Sequence, residues 1–207
     1  MINIDFEYGV DSEIQRVKNT LNDLEWLDEN KYRYSLPIFE NKPDKVSEKE
    51  IKDSVEKEYS ALEFETAEKA VSSAWEGKRA KIEKIQDTII GARKLDQIKI
   101  VFTKYGTGGS YWMPNKIIIN LRANVPEFLI KTVIHECIHL MIENLIAKNK
   151  VNHWHKERIV DLIMDKEFES TFKVQNLPDH AKDVDPIFQK FYPDMASITE
   201  KAAELAN

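Results

Sequence analysis

Apolar residues recur at helical spacing along most of this chain, and between residues 98 and 121 they form short runs separated by turn residues. Near the beginning, Ser12-x-x-Gln15 has the form of a capping box, and Ile14, Val17, Leu21 and Leu24 follow at helical spacing. Residues Tyr32 to Phe39, with Pro37 among them, read as extended, and Asn41-Lys42-Pro43-Asp44 as a loop. Ser47-x-x-Glu50 caps a further helical stretch. Its apolar positions run from Ile51 and Val55 through Tyr59, Leu62, Ala67, Ala70 and Ala74 to Ile82, Ile85 and Ile89, with a break expected at Gly77 and an end at Gly91. Ile98 to Phe102 then reads as a strand, Gly106-Thr107-Gly108-Gly109 as a turn, and Ile117 to Leu121 as a second apolar strand. Between them lie Ser110-Tyr111-Trp112 and the turn Met113-Pro114-Asn115-Lys116.

The pattern changes again at residue 124. Asn124 has the chemistry of an N-cap, Pro126 suits a first helical turn, and Glu127 suits the positive end of a helix dipole. From Phe128 and Leu129 to Leu145 and Ile146 the helix is apolar nearly all round, which predicts burial rather than a solvated face. Into that apolar run are set His135, Glu136 and His139, spelling H-E-x-x-H. Residues four apart share a helix face, so the two imidazoles can meet one ion, with Glu136 beside them to polarise a water. A second helix is expected around Trp154, Ile159, Val160, Leu162 and Ile163, with Asn152 as its cap. On it Glu157 and Asp161 share a face.

The type of third ligand separates subclasses of such sites. A three-histidine continuation needs glycine at 142 and histidine at 145, where this chain has Ile142 and Leu145. H-E-x-x-H followed eighteen residues later by Glu157-x-x-x-Asp161 resembles instead the gluzincins, the thermolysin-like branch of zinc metallopeptidases. The resemblance covers roughly residues 97–165 and implies one zinc ion per chain, held by His135, His139 and Glu157, with Glu136 as general base. It makes Asp161 the group that holds a ligand imidazole, that of His135, by its far nitrogen. It also implies that the strand Ser110-Tyr111-Trp112 borders the cleft and pairs with substrate backbone. His153, one turn before Glu157, is the named substitute ligand or a contact for the substrate oxyanion; His180 and Tyr192 are further candidates for that contact. His155 should point elsewhere, and Cys137 should be a buried thiol on the far side of the helix.

Composition narrows the classes. A formal charge of −6 gives no footprint for nucleic acid, and the basic cluster Lys78, Arg79, Lys81 and Lys84 is interleaved with Glu76, Glu83 and Asp87. No apolar run reaches membrane-spanning length, the start lacks a secretory pattern, and a single cysteine suits a reducing cytoplasm. The expected architecture is α+β and zincin-like: a small sheet with an antiparallel edge packed on the H-E-x-x-H helix and a second ligand helix. Residues 1–95 form a mainly helical region packing on or covering a catalytic domain at 96–207, or the two make one compact domain over 1–207. The expected function is zinc-dependent hydrolysis of peptide bonds in a peptide or protein substrate. The alternatives are a non-catalytic protein-binding module on the same scaffold, and a metal-free helical protein in which the motif is accidental.

Overall fold

A computed structural model describes residues 1–124, 128–168 and 175–205. Its elements run β1 (Asn3–Glu7), α1 (Val10–Asn22), α2 (Leu24–Glu29), α3 (Glu48–Glu58), α4 (Ala61–Glu76), α5 (Arg79–Thr88), β2 (Gln97–Thr103), β3 (Gly109–Trp112), β4 (Lys116–Asn120), α6 (Leu129–Asn149), α7 (His153–Phe168), α8 (Asp185–Phe191) and α9 (Met195–Ala203). Short 3-10 turns occupy Pro43–Lys45 and Asp179–Val184. The protein is thus mixed α/β and mostly helical.

The four strands form one mixed sheet in the order β1-β2-β4-β3. Strands β1, β2 and β4 are parallel, with Ile4 beside Ile98 and Ile100 beside Ile117, while β3 runs antiparallel to β4 with Tyr111 opposite Ile117. The apolar runs of β2 and β4 fit their central places, since Ile98, Ile100, Phe102, Ile117 and Ile119 are wholly buried and Val101 and Ile118 nearly so. Strand β3 is shorter, more polar and lies at the edge. Strand β1 was not expected: Ile4 and Phe6 alternate with Asn3, Asp5 and Glu7, but five residues are a weak signal without the partner strand.

Helix α6 is the centre of the main core. Val133, Ile134, Cys137, Ile138, Leu140, Met141 and Ile142 are fully buried, among side chains from α4, α5, the sheet, α7, α8 and α9. Ile2, Phe64, Trp75 and Ile82 belong to this same core, so the first ninety-five residues share it with the rest. A smaller cluster of Val17, Ile51, Val55 and Tyr105 joins α1 to α3.

Helix boundaries depart from expectation where side chains found other partners. Helix α1 starts at Val10, and Ser12 Oγ donates to the Gly9 carbonyl instead of capping. Ser47 does cap α3, accepting from the Glu50 N–H at 3.2 Å. The long helical pattern breaks at Gly77, as expected, and again at Tyr59 and Ser60, where Tyr59 turns out and stacks on Phe64. Helix α6 begins at Leu129, with Phe128 in the cap position. Asn124 instead clasps the preceding loop, donating to the Gly108 and Asn120 carbonyls at 2.8 Å and accepting from Thr132. Pro126 and Glu127, and the segment from Thr171 to Val174 whose sequence reads as extended, lie outside the described residues.

Candidate metal centre

The path from α6 to α7 decides how the site is assembled. Lys150 takes a left-handed conformation (φ 55°) that ends α6, and its N–H bonds back to the Ala147 carbonyl. Two residues later Asn152 Oδ1 accepts from the Trp154 N–H at 2.8 Å and starts α7. This tight link folds α7 back on α6, bringing Glu157 to the face that carries His135 and His139.

The three side chains meet closely. The Nε2 atoms of His135 and His139 are 3.0 Å apart, Glu157 Oε2 is 3.3 Å from His135 Nε2, and Glu157 Oε1 is 3.4 Å from His139 Nε2. A tetrahedral ion with bonds of about 2.0–2.1 Å requires ligand atoms about 3.3 Å apart, so the donor set fits one divalent cation of zinc's size and preferences. All three residues are well covered, and they form the one His/Cys/Asp/Glu group among the described residues suited to hold a metal.

The electrostatics also favour a cation at this junction. Burial opposes charge on Glu157, but the two imidazoles outweigh it and hold the carboxyl far below the usual range. Burial pushes His135 down, yet Glu157, Glu136 and Asp161 together draw it upward. His139 is driven down to about 4, chiefly by burial. Glu136, fully enclosed, is pushed up to about 7 by burial.

Each ligand has its own support. Asp161 Oδ1 lies 3.9 Å from His135 Nδ1, the nitrogen turned away from the junction. His139 Nδ1 has no hydrogen-bond partner among the described residues; Tyr111 of β3 holds the ring by lying flat on it. Tyr111 is itself tethered, donating to Glu143 Oε2 at 2.5 Å and accepting from Lys156 Nζ at 3.0 Å. Gln175 was not singled out in the sequence. Its backbone N–H donates to Asp161 Oδ2 at 3.0 Å, and its amide reaches His135 Nε2 and Glu157 Oε2 at 3.4 Å.

Known proteins offer no guide. No family model, curated protein or solved structure matches the chain.

The site opens into a cleft of about 1200 Å³. One wall is the edge strand, with Ser110, Tyr111 and Trp112; the other comes from α1, α2 and the segment after them, with Arg16, Trp26 and Tyr32. His153 lies on this second wall, hydrogen-bonded through Nε2 to the Tyr32 hydroxyl and flanked by Trp26 and Trp154. It therefore faces the cleft and stands apart from the three ligand atoms. His155 is buried against the His180 carbonyl, away from the junction. Cys137 is wholly enclosed, and burial pushes its thiol far up. The two downstream oxyanion candidates do not reach the cleft. His180 is exposed on the Asp179–Val184 turn, and the Tyr192 hydroxyl is committed to Glu167. Tyr32 and His153 do face the cleft; they lie 121 residues apart and show no shared motif in the sequence.

No helix among the described residues is long and apolar enough to cross a membrane.

Proposed function

We propose that the protein is a zinc-dependent peptidase of gluzincin type, with a zincin-like arrangement of sheet, motif helix and second ligand helix. The observation that carries this reading is the junction of His135, His139 and Glu157 at 3.0–3.4 Å with Glu136 buried beside it. A purely structural ion site has no use for a fourth, unligated carboxylate at that place.

His135, His139 and Glu157 would hold the ion, leaving a position open, and Asp161 would fix the orientation of His135. When bound, zinc supplies a Lewis acid that acidifies water and polarises a carbonyl oxygen. Glu136 takes the proton of the attacking water and delivers it to the leaving amine. Its proximity to neutrality suits both halves of that transfer. The edge strand β3 presents backbone groups to an extended peptide, which orients the scissile carbonyl toward the junction. Tyr32 and His153, on the opposite wall, are the donors available to a developing oxyanion.

The test pairs two variants with metal analysis by elemental mass spectrometry. Wild type should carry about one zinc per chain, Glu157→Ala much less, and Glu136→Gln as much as wild type. Hydrolysis of a peptide mixture should fall by roughly 10²–10⁴-fold in Glu136→Gln. A wild type that binds no zinc would defeat the reading. Zinc binding with no peptide cleavage would favour a non-catalytic binding module.

A further inference from the structure

Arg16 is a cation in the cleft without a carboxylate of its own. It projects from α1 toward the loop that enters β3, where Nη2 lies 3.4 Å from Thr107 Oγ1 and Nε 3.5 Å from the Tyr105 carbonyl. Both contacts are long for hydrogen bonds. Among the described residues it forms no ion pair, although Asp23, Glu13 and Glu136 are near enough to act on it through space. The side chain is half-buried, and that burial lowers its pKa. Its position is fixed by packing: Gly106 (φ 77°) lies directly beneath, and a Cβ there would fall 2.3 Å from Nε. A half-buried guanidinium held by packing, with donors left over, can meet an anion entering the cleft, and its planar fork matches a carboxylate.

The direction of the edge strand tells which part of a substrate would arrive there. Strand β3 runs from Gly109 to Trp112, and antiparallel addition is the more stable pairing. An added peptide would enter beside Trp112 and run toward Gly109, then onward past Thr107 to Arg16. Glu136 lies under Gly109, so close that a Cβ on Gly109 would be 2.5 Å from Glu136 Oε1. The carboxyl that protonates the leaving amine is therefore on the same side of the junction as Arg16. The leaving fragment is the C-terminal part of the peptide.

Resting on the peptidase reading above, we propose that Arg16 binds the terminal carboxylate of the substrate, so that the enzyme releases short fragments from free C-termini of peptides. The apolar side chains around the entrance, Trp26, Trp112, Met113 and Phe128, are exposed and line the same cleft, which suits peptides with large apolar residues.

The experiment uses zinc-replete full-length protein and a randomised synthetic peptide mixture made twice, once with free carboxyl termini and once as C-terminal amides. Cleavage is followed by mass spectrometry for wild type, Arg16→Gln and Arg16→Lys. Free acids should be cut at least about tenfold faster than amides by wild type, as expected for a charge-assisted contact. Arg16→Gln should bring the ratio of acid to amide close to one, and Arg16→Lys should keep part of it. Equal rates on both mixtures by wild type, or an undiminished preference in Arg16→Gln, would overturn the assignment of Arg16 and leave the peptidase reading standing. Cleavage of neither mixture by zinc-loaded wild type would defeat the peptidase reading, and this inference with it. The comparison of acid with amide on wild type needs no variant to fold.

Discussion

Tyr111 lies flat on His139, with 4.8 Å between ring centroids and 11° between planes. The contact joins the edge strand to the motif helix at the residue whose far nitrogen has no hydrogen-bond partner among the described residues. A metal-binding imidazole is ordinarily fixed by a carboxylate or carbonyl on its second nitrogen, whereas the His139 ring is held by an aromatic face. The strand that borders the cleft and the geometry of the ion site are therefore mechanically coupled.

Removal of that face should loosen the ligand. Tyr111→Ala is expected to weaken zinc binding by roughly 10–100-fold, the range seen when supports of metal-bound histidines are lost. Tyr111→Phe keeps the stack and gives up only the hydroxyl's bonds to Glu143 and Lys156, so its loss should be clearly smaller. Competition against a chelating dye measures both, and equal losses would show that the hydroxyl, not the ring, provides the support.

The ion should also stabilise the fold. His135, His139 and Glu157 come from two helices, and they converge only when α7 is packed on α6. Zinc at a free concentration of 100 times its Kd would add about 2.7 kcal/mol. For a chain of this size, each kcal/mol moves Tm by about 2–4 °C, so a rise of roughly 5–10 °C is expected. Scanning calorimetry with zinc and with excess chelator would record it, and Glu157→Ala should show little of the difference.

Two neighbouring glycines should behave oppositely. A methyl on Gly109 would lie 2.5 Å from Glu136 Oε1 and 2.7 Å from Thr132 Cγ2, whereas one on Gly108 would meet Ala123 at an ordinary 3.7 Å. Gly109→Ala is expected to cost about 1–3 kcal/mol through overpacking and to displace the Glu136 carboxylate, while Gly108→Ala should be near neutral. Urea denaturation of the two variants provides the comparison.

Glu13 offers a test outside the lining of the cleft. Buried under β2, its carboxylate accepts the Lys104 backbone N–H at 3.1–3.2 Å, and burial pushes its pKa from 4.5 up to about 7. Between those values the folded protein holds a proton that the unfolded chain has lost. Stability contributed at this position is thus complete below about pH 4.5 and falls as pH rises toward 7. Glu13→Gln, which cannot ionise, should match wild type near pH 5 and exceed it by roughly 1–3 kcal/mol at pH 8. Urea titrations at the two pH values decide it, since groups common to both proteins cancel in the difference.

The most legible parts of this molecule were those whose signal is local. The all-round apolar character of α6, the four-residue step between its histidines, and the step from Glu157 to Asp161 all lie within single helices. So does the capping of α3 by Ser47. What was missed depends on distant partners. His153 was a candidate, but its partner Tyr32 comes from 121 residues away; Arg16 acquires its setting from Gly106 and Thr107, and Gln175 reaches two helices at once. Asn124 looked like a cap because its chemistry permits it; a loop that needed clasping took it instead. No periodicity records such choices, because each is settled by which side chains the whole fold brings within reach.

Strand β1 has a consequence for synthesis. Its partner residues in β2 follow about ninety positions later in the chain. At translation rates of roughly 5–20 residues per second, Ile2, Ile4 and Phe6 wait several seconds with neither a neighbouring strand nor a core to enter. For that interval the nascent chain displays a short apolar segment without its partner strand, the kind of exposed surface that chaperones shield.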